Sequence, residues 1–205
     1  EGRSAGGGGG AGLGGAIFNI GGTVSIHNST LSANSALGGA GGEGAVRGTS
    51  FRGQSGSGLG GAIFNRNGSV TIVQTTIADN LARAGDFGDG SESAGGGIYQ
   101  LQDASGTANL SLSNTIVANS QFNRSDVANE GGSVTGDGNL IVQPTGIPEG
   151  VIVVSEDPIL GPLENNGGPT MKHALLTDSP AVDAGIAAGS PTPVHTSALT
   201  DSLDD

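Results

Sequence analysis

The sequence predicts an all-β protein, a right-handed parallel β-helix (β-solenoid) with three short strands per coil and glycine-rich loop insertions. Three observations carry this. The octapeptide GLGGAIFN occurs at 12–19 and again at 58–65. After each copy, apolar residues alternate with polar ones, in TVSIHN at 23–28 and SVTIVQ at 69–74, which is the period of a strand with one buried face. Glycine fills 41 of 205 positions without a strict collagen-like period. Clusters of Val, Ile and Leu between the glycines argue for strands joined by tight turns rather than for a disordered chain.

The match extends beyond the octapeptide. Val24 corresponds to Val70, Ile26 to Ile72, Leu31 to Ile77 and Asn34 to Asn80, all at one offset. A looser third copy runs from GGGIYQ, 95–100, through ANLSLSNTIVANS, 108–120, with Leu110 and Leu112 in the alternating places. One residue missing before Ile116 and Asn119 aligns them with Ile77 and Asn80. A repeat of about 25 residues cannot bury its own apolar face, so the copies must stack. Stacked strands about 4.8 Å apart place equivalent residues in columns.

The expected inward ladders are Val24, Val70 and Leu110; Ile26, Ile72 and Leu112; and Leu31, Ile77 and Ile116. The expected polar ladders are Asn28, Gln74 and Asn114, and Asn34, Asn80 and Asn119. Stacked amides bond along a column, and Asn tolerates the left-handed backbone of a corner. Glycines 14, 15, 60, 61, 96 and 97 allow bends or close backbone approach. The chain divides into a β-helix over 1–185, with glycine-rich loops near 36–57 and 83–94, and an extended tail over 186–205. About five to seven coils are expected.

Charge narrows the partners. Against 19 acidic residues stand 7 basic ones, for a net charge of −12, so nucleic acid and anionic membrane surfaces are disfavoured. No apolar run approaches the roughly 20 residues of a membrane-spanning helix. Cysteine is absent, which excludes disulfides and thiolate metal sites. The opening EGRSAGGGGG, with no initiator methionine or signal peptide, fits a processed piece of a larger precursor.

The pattern GGAIFN, VTI and TTIADN resembles the polymorphic outer-membrane-protein type of repeat in large bacterial surface β-helix proteins. LSLSNTIVANS, SVTGDGNLI and DPILGPLENNGGPTMKHALLTDSPAVDAG, in that order, are similar to the end of the β-helical region in exported proteins that often carry a C-terminal surface anchor. The resemblance spans roughly Gly12 to Gly185, and NGGPT, HALL and SPAVDAG are its most specific part. It implies an extracellular or cell-surface repeat protein and carries no catalytic residues to transfer. The tail after Gly185 shows no recognisable anchor.

The residues point to a non-enzymatic structural role. β-Helices also host polysaccharide-binding and polysaccharide-degrading proteins, but that chemistry needs convergent acids or acids with cations. Two acids meeting in a groove with perturbed pKa values would favour it. Asp79 reads as a solvated acid, His27 as an exposed strand residue and His173 as part of a structural closing coil. His195 lies in a Pro/Ser/Thr-rich tail. GDFGDGSES offers Asp86, Asp89 and Glu92 as a candidate calcium loop, calcium being the one cofactor the chain invites, while Asp137 sits in a glycine-assisted turn. Asn67 and Asn123 begin sequons in expected turns, as glycosylation candidates; Asn28 begins another but is expected to point inward. The expected partners are other copies of the chain, in a filament or matrix, or extracellular glycans.

Overall fold

The computed structural model describes residues 6–46, 49–85, 91–121 and 125–186. It is all-β, with parallel strands stacked in sheets and no α-helix among the described residues, an arrangement compatible with a parallel β-helix. One sheet stacks Thr23–His27, Ser69–Val73, Asn109–Ser113 and Ser133–Asp137. A second stacks Thr30–Ser32, Thr76–Ala78, Ile116–Ala118, Asn139–Ile141 and Ile152–Val154. The third stacks Ile17–Ile20, Ile63–Arg66, Ile98–Leu101, Val127–Glu130 and Pro144–Thr145. The first four layers thus each contribute one strand to all three sheets.

The expected aliphatic columns form in two of three cases. Val24, Val70 and Leu110 are in register, as are Ile26, Ile72 and Leu112. Ile72, Leu112 and Ile77 are fully buried, and burying each such side chain contributes about 1.5–3 kcal/mol. The third column differs. Ile77 faces Val117, and Ile116 faces Thr76. No residue is missing from the third copy, because the offset that pairs Val70 with Leu110 also pairs Leu81 with Gln121. Val117 therefore points into the core, and Ile116 points out beneath Leu140 and Ala181.

The polar columns are corrected by the same register. Asn119 shares a left-handed corner with Ala33 and Asp79, at φ of 57°, 57° and 58°, so it does not join Asn34 and Asn80. Asn28, Gln74 and Asn114 do form a left-handed corner column, at φ of 47°, 50° and 50°. Their amides do not bond along it: Asn28 and Gln74 face solvent, and Asn114 bonds to the Ile186 backbone, its Oδ1 accepting from Ile186 N at 2.8 Å. Asn34 and Asn80 do pair, Nδ2 donating to Oδ1 at 3.0 Å.

Among the described residues four layers span all three sheets, and Pro144–Thr145 and Ile152–Val154 begin a fifth in two of them. The fourth is the stretch read as a turn around Asp137: Val134 stacks on Leu110 and Gly136 on Leu112. A glycine there leaves the core short of a side chain. The 3-10 turn Glu149–Val151 packs against this strand and brings Val151 into the core, beside Ile147. The chain then leaves the parallel stack, and Leu160–Glu164 and Lys172–Leu175 pair antiparallel. Leu160 and Leu175 of this closing hairpin cover the outward face of the second sheet. Ile186, assigned to the tail by sequence, is buried there.

The glycine-rich insertions are ordered against one another where they are described. Gly9 N donates to Gln54 O, Gly39 N to Gly10 O, and Gly56 N to Gly39 O, each at 2.8 Å. The segments 6–10, 38–42 and 53–56 therefore bond in a ring of three. A Cβ on Gly6 or Gly9 would lie within about 2 Å of the carbonyls of Gly42 or Gly39, whereas one on Gly7 or Gly10 would meet nothing within 4 Å. Contact at every third residue is the period of a polyproline-II-type chain. The hairpin of Glu43–Val46 with Thr49–Arg52 extends from this bundle.

Candidate functional site

The end of the octapeptide builds two ladders. In the strand Ile17–Ile20 alternate side chains face opposite ways, so Ile17 and Asn19 turn inward and Phe18 and Ile20 outward. Phe18, Phe64 and Tyr99 stack along the outer column, with ring centroids 5.5 Å and then 5.8 Å apart and planes within 13°. Asn19 Nδ2 donates to Asn65 Oδ1 at 2.9 Å, Asn65 Nδ2 to Gln100 Oε1 at 3.0 Å, and Gln100 Nε2 to Asn129 Oδ1 at 2.9 Å. Asn19, Asn65 and Asn129 also close the turn that follows each of them, through the carbonyls of Gly22, Gly68 and Gly132, and Gln100 donates to Ser133 O in the next layer. At the far end Asn129 Nδ2 also donates to Gly146 O, at 3.0 Å. The motif carried this ladder in plain sight, as its terminal Asn, and sequence reasoning placed the amide columns elsewhere.

All these columns end on the first layer, whose strands are the outermost members of their sheets. Phe18, Ile20 and Leu37 there are 53%, 55% and 53% exposed. Val24 and Leu31 are only partly buried, while their partners Val70 and Ile77 are fully enclosed. The first layer thus presents apolar side chains and, among the described residues, unpaired strand edges. The opposite end is filled by Val151 and Ile147.

The candidate calcium loop is only partly within reach of the structure: Asp86 and Asp89 lie outside the described residues. Glu92 is exposed, its N–H donating to Ser57 Oγ at 2.9 Å. Partial burial and the nearby Glu130 carboxylate raise its pKa. Both glutamates and burial act on Tyr99, whose phenol is pushed up to about 12, burial being the largest cause. Among the described residues no three His, Asp or Glu side chains are grouped to hold a metal.

Of the glycosylation candidates, Asn123 lies outside the described residues. Asn67 sits at a left-handed turn, φ 51°, and its Nδ2 donates to Asp103 Oδ1 at 2.6 Å and Ser105 Oγ at 2.8 Å. The Ser105 and Asn67 hydrogen bonds, with Arg66, hold the Asp103 carboxyl well below the usual range. A glycan on Asn67 would replace one of the two Nδ2 hydrogens and so remove one of these bonds. Asn28, expected inside, is exposed.

His27 is exposed on its strand, opposite Val73. His195 lies outside the described residues. His173 belongs to the closing hairpin, and it meets Asp79 and a serine that sequence reasoning passed over. Its Nε2 lies 2.9 Å from Ser32 Oγ and 3.8 Å from Asp79 Oδ2, and its Nδ1 lies 2.7 Å from the Gly161 carbonyl. The imidazole is buried, with Ser32 and Asp79 half-exposed. Ser32 stands where the next two layers have Ala78 and Ala118. That deviation was a readable signal; its partner 141 residues away was not.

Asp126 is buried, and its two oxygens accept from Ser120 N and Gln143 N at 2.9 Å each. Burial nevertheless raises its pKa. A cleft between the second sheet and the closing segment is lined by Gln74, Thr76, Asn114, Leu140 and Ala184, and no carboxylate lines it. No protein-family model, curated protein or solved structure matches the chain.

Proposed function

We propose that the chain is a right-handed parallel β-helix of the polymorphic outer-membrane-protein repeat type. In this reading it is an exported structural protein of the cell surface or extracellular matrix, an adhesin-like scaffold that assembles by stacking. The observation that carries this reading is the convergence of the aromatic, amide and aliphatic columns on one exposed layer. Unpaired strand edges are templates for further pairing, and exposed Phe18 and Ile20 add apolar area to the same end. Because Val151 fills the opposite end, assembly runs through the first layers of two copies, and a longer filament needs a second contact.

Electron microscopy of native, undenatured protein tests this. Particles joined end to end support the reading. Single particles at all concentrations contradict it.

A further inference from the structure

We propose that Ser32 and His173 form an acyl-transfer dyad on the flank of the stack, with Ser32 as nucleophile toward carboxylic esters and His173 as its general base. This goes beyond the scaffold reading and stands or falls separately from it.

The argument starts from the tautomer. Gly161 O can only accept a hydrogen bond, so the nitrogen 2.7 Å away, His173 Nδ1, carries the ring proton. Nε2 then bears the lone pair, and the Ser32 hydroxyl at 2.9 Å donates to it. A hydroxyl, a base within hydrogen-bond reach and a third group orienting that base are the parts of an activated nucleophile. The imidazole is fixed by burial, yet Ser32 is half-exposed and within reach of a ligand. Asp79 Oδ2 lies 3.8 Å from Nε2, beside the atom that takes the proton, and so acts as a positioning residue.

The repeat supplies an independent reason. Neighbouring layers have alanine where Ser32 stands, and Ala33 and Asn119 occupy the corner of Asp79. Stacking does not require either side chain. Two departures from the column pattern, in different layers, meet one histidine from a third part of the chain.

In the reaction, Ser32 Oγ bonds to the ester carbonyl carbon while its proton passes to His173 Nε2. Collapse breaks the bond to the leaving oxygen, which takes that proton and departs as the alcohol. Water then attacks the acyl-serine with Nε2 again accepting a proton, which is returned to Ser32 Oγ as the acid leaves. The adjacent Ala33 N–H already donates to Ala78 O, so it is not free to stabilise an oxyanion. Slow acylation by activated esters is therefore expected.

The test is reaction of the whole chain with a fluorophosphonate, in which a Ser32 Oγ–P bond forms and fluoride leaves, followed by peptide mass spectrometry. The expected result is labelling concentrated on Ser32, rising from acid to neutral pH and abolished in Ser32→Ala. Asp79→Asn is expected to slow it about three- to tenfold and His173→Gln by tenfold or more. Circular dichroism identifies variants that remain folded, and Asp79→Asn keeps the question open to test if His173→Gln unfolds. Labelling spread over exposed serines, or Ser32 labelling unaltered in a folded Asp79→Asn variant, overturns the proposal.

Discussion

Asn65 and Gln100 bond amide to amide across adjacent layers, Nδ2 to Oε1 at 3.0 Å, with both residues fully buried. Asn65 also accepts from Asn19 and donates to Gly68 O, so its removal leaves buried polar groups on three sides. Asn65→Ala is expected to cost about 2–4 kcal/mol, because unsatisfied buried groups lose their full solvation. Asn19→Ala, at the end of the ladder, should cost about 1 kcal/mol. Urea unfolding of the two variants measures the difference.

The aromatic column makes a parallel prediction. Phe64 lies between Phe18 and Tyr99 and is 3% exposed, whereas Phe18 is 53% exposed. Phe64→Ala should cost about 3–5 kcal/mol. Phe18→Ala removes a half-exposed ring and should cost about 1 kcal/mol. Thermal melts that rank the two the other way would contradict the packing described.

The glycine bundle is tested at neighbouring positions. A Cβ on Gly9 would stand 2.0 Å from Gly39 O, and one on Gly10 meets nothing within 4 Å. Gly9→Ala should therefore loosen segments 6–10 and 38–42, while Gly10→Ala leaves them unchanged. Hydrogen exchange at the Gly39 and Gly42 amides, which donate to Gly10 and Gly7, reads the difference directly. A similar clash awaits Gly61→Ala, whose Cβ would lie 2.1 Å from Gly96 O, and that variant should lose the stacked fold.

Asp126 gives stability a pH dependence. Burial raises its folded-state pKa above the ordinary aspartate value, so its contribution is fully present below that ordinary value. It is lost as pH rises through the raised one. Asp126→Asn should flatten this part of the stability profile. The substitution also turns an amide NH₂ toward Ser120 N or Gln143 N, costing about 1–3 kcal/mol at acid pH. Urea midpoints across pH for both proteins check slope and offset together.

The strands were legible where alternation is strong: Val24, Ile26, Val70 and Ile72 needed only a two-residue period. Ile116 was misplaced because matching Asn119 to Asn80 by letter outweighed a constant offset, whereas backbone pairing holds register through Leu81 and Gln121. The stretch around Asp137 reads as a turn rather than a strand because Gly136 stands in an apolar column, and the missing side chain is replaced from outside the repeat by Val151. The meeting of Ser32, Asp79 and His173 depends on how the closing hairpin lies across the sheet. No local period encodes it.

Sedimentation velocity over a wide concentration range, on the wild type and on Ile20→Lys, tests the assembly claim most directly. Ile20 is 55% exposed on the outermost strand, so a lysine there leaves the core intact and places charge on the stacking surface. The expected result is association of the wild type that rises with concentration and is lost in the variant. A wild type that sediments as a monomer throughout, or association that persists unchanged in Ile20→Lys, would contradict the account.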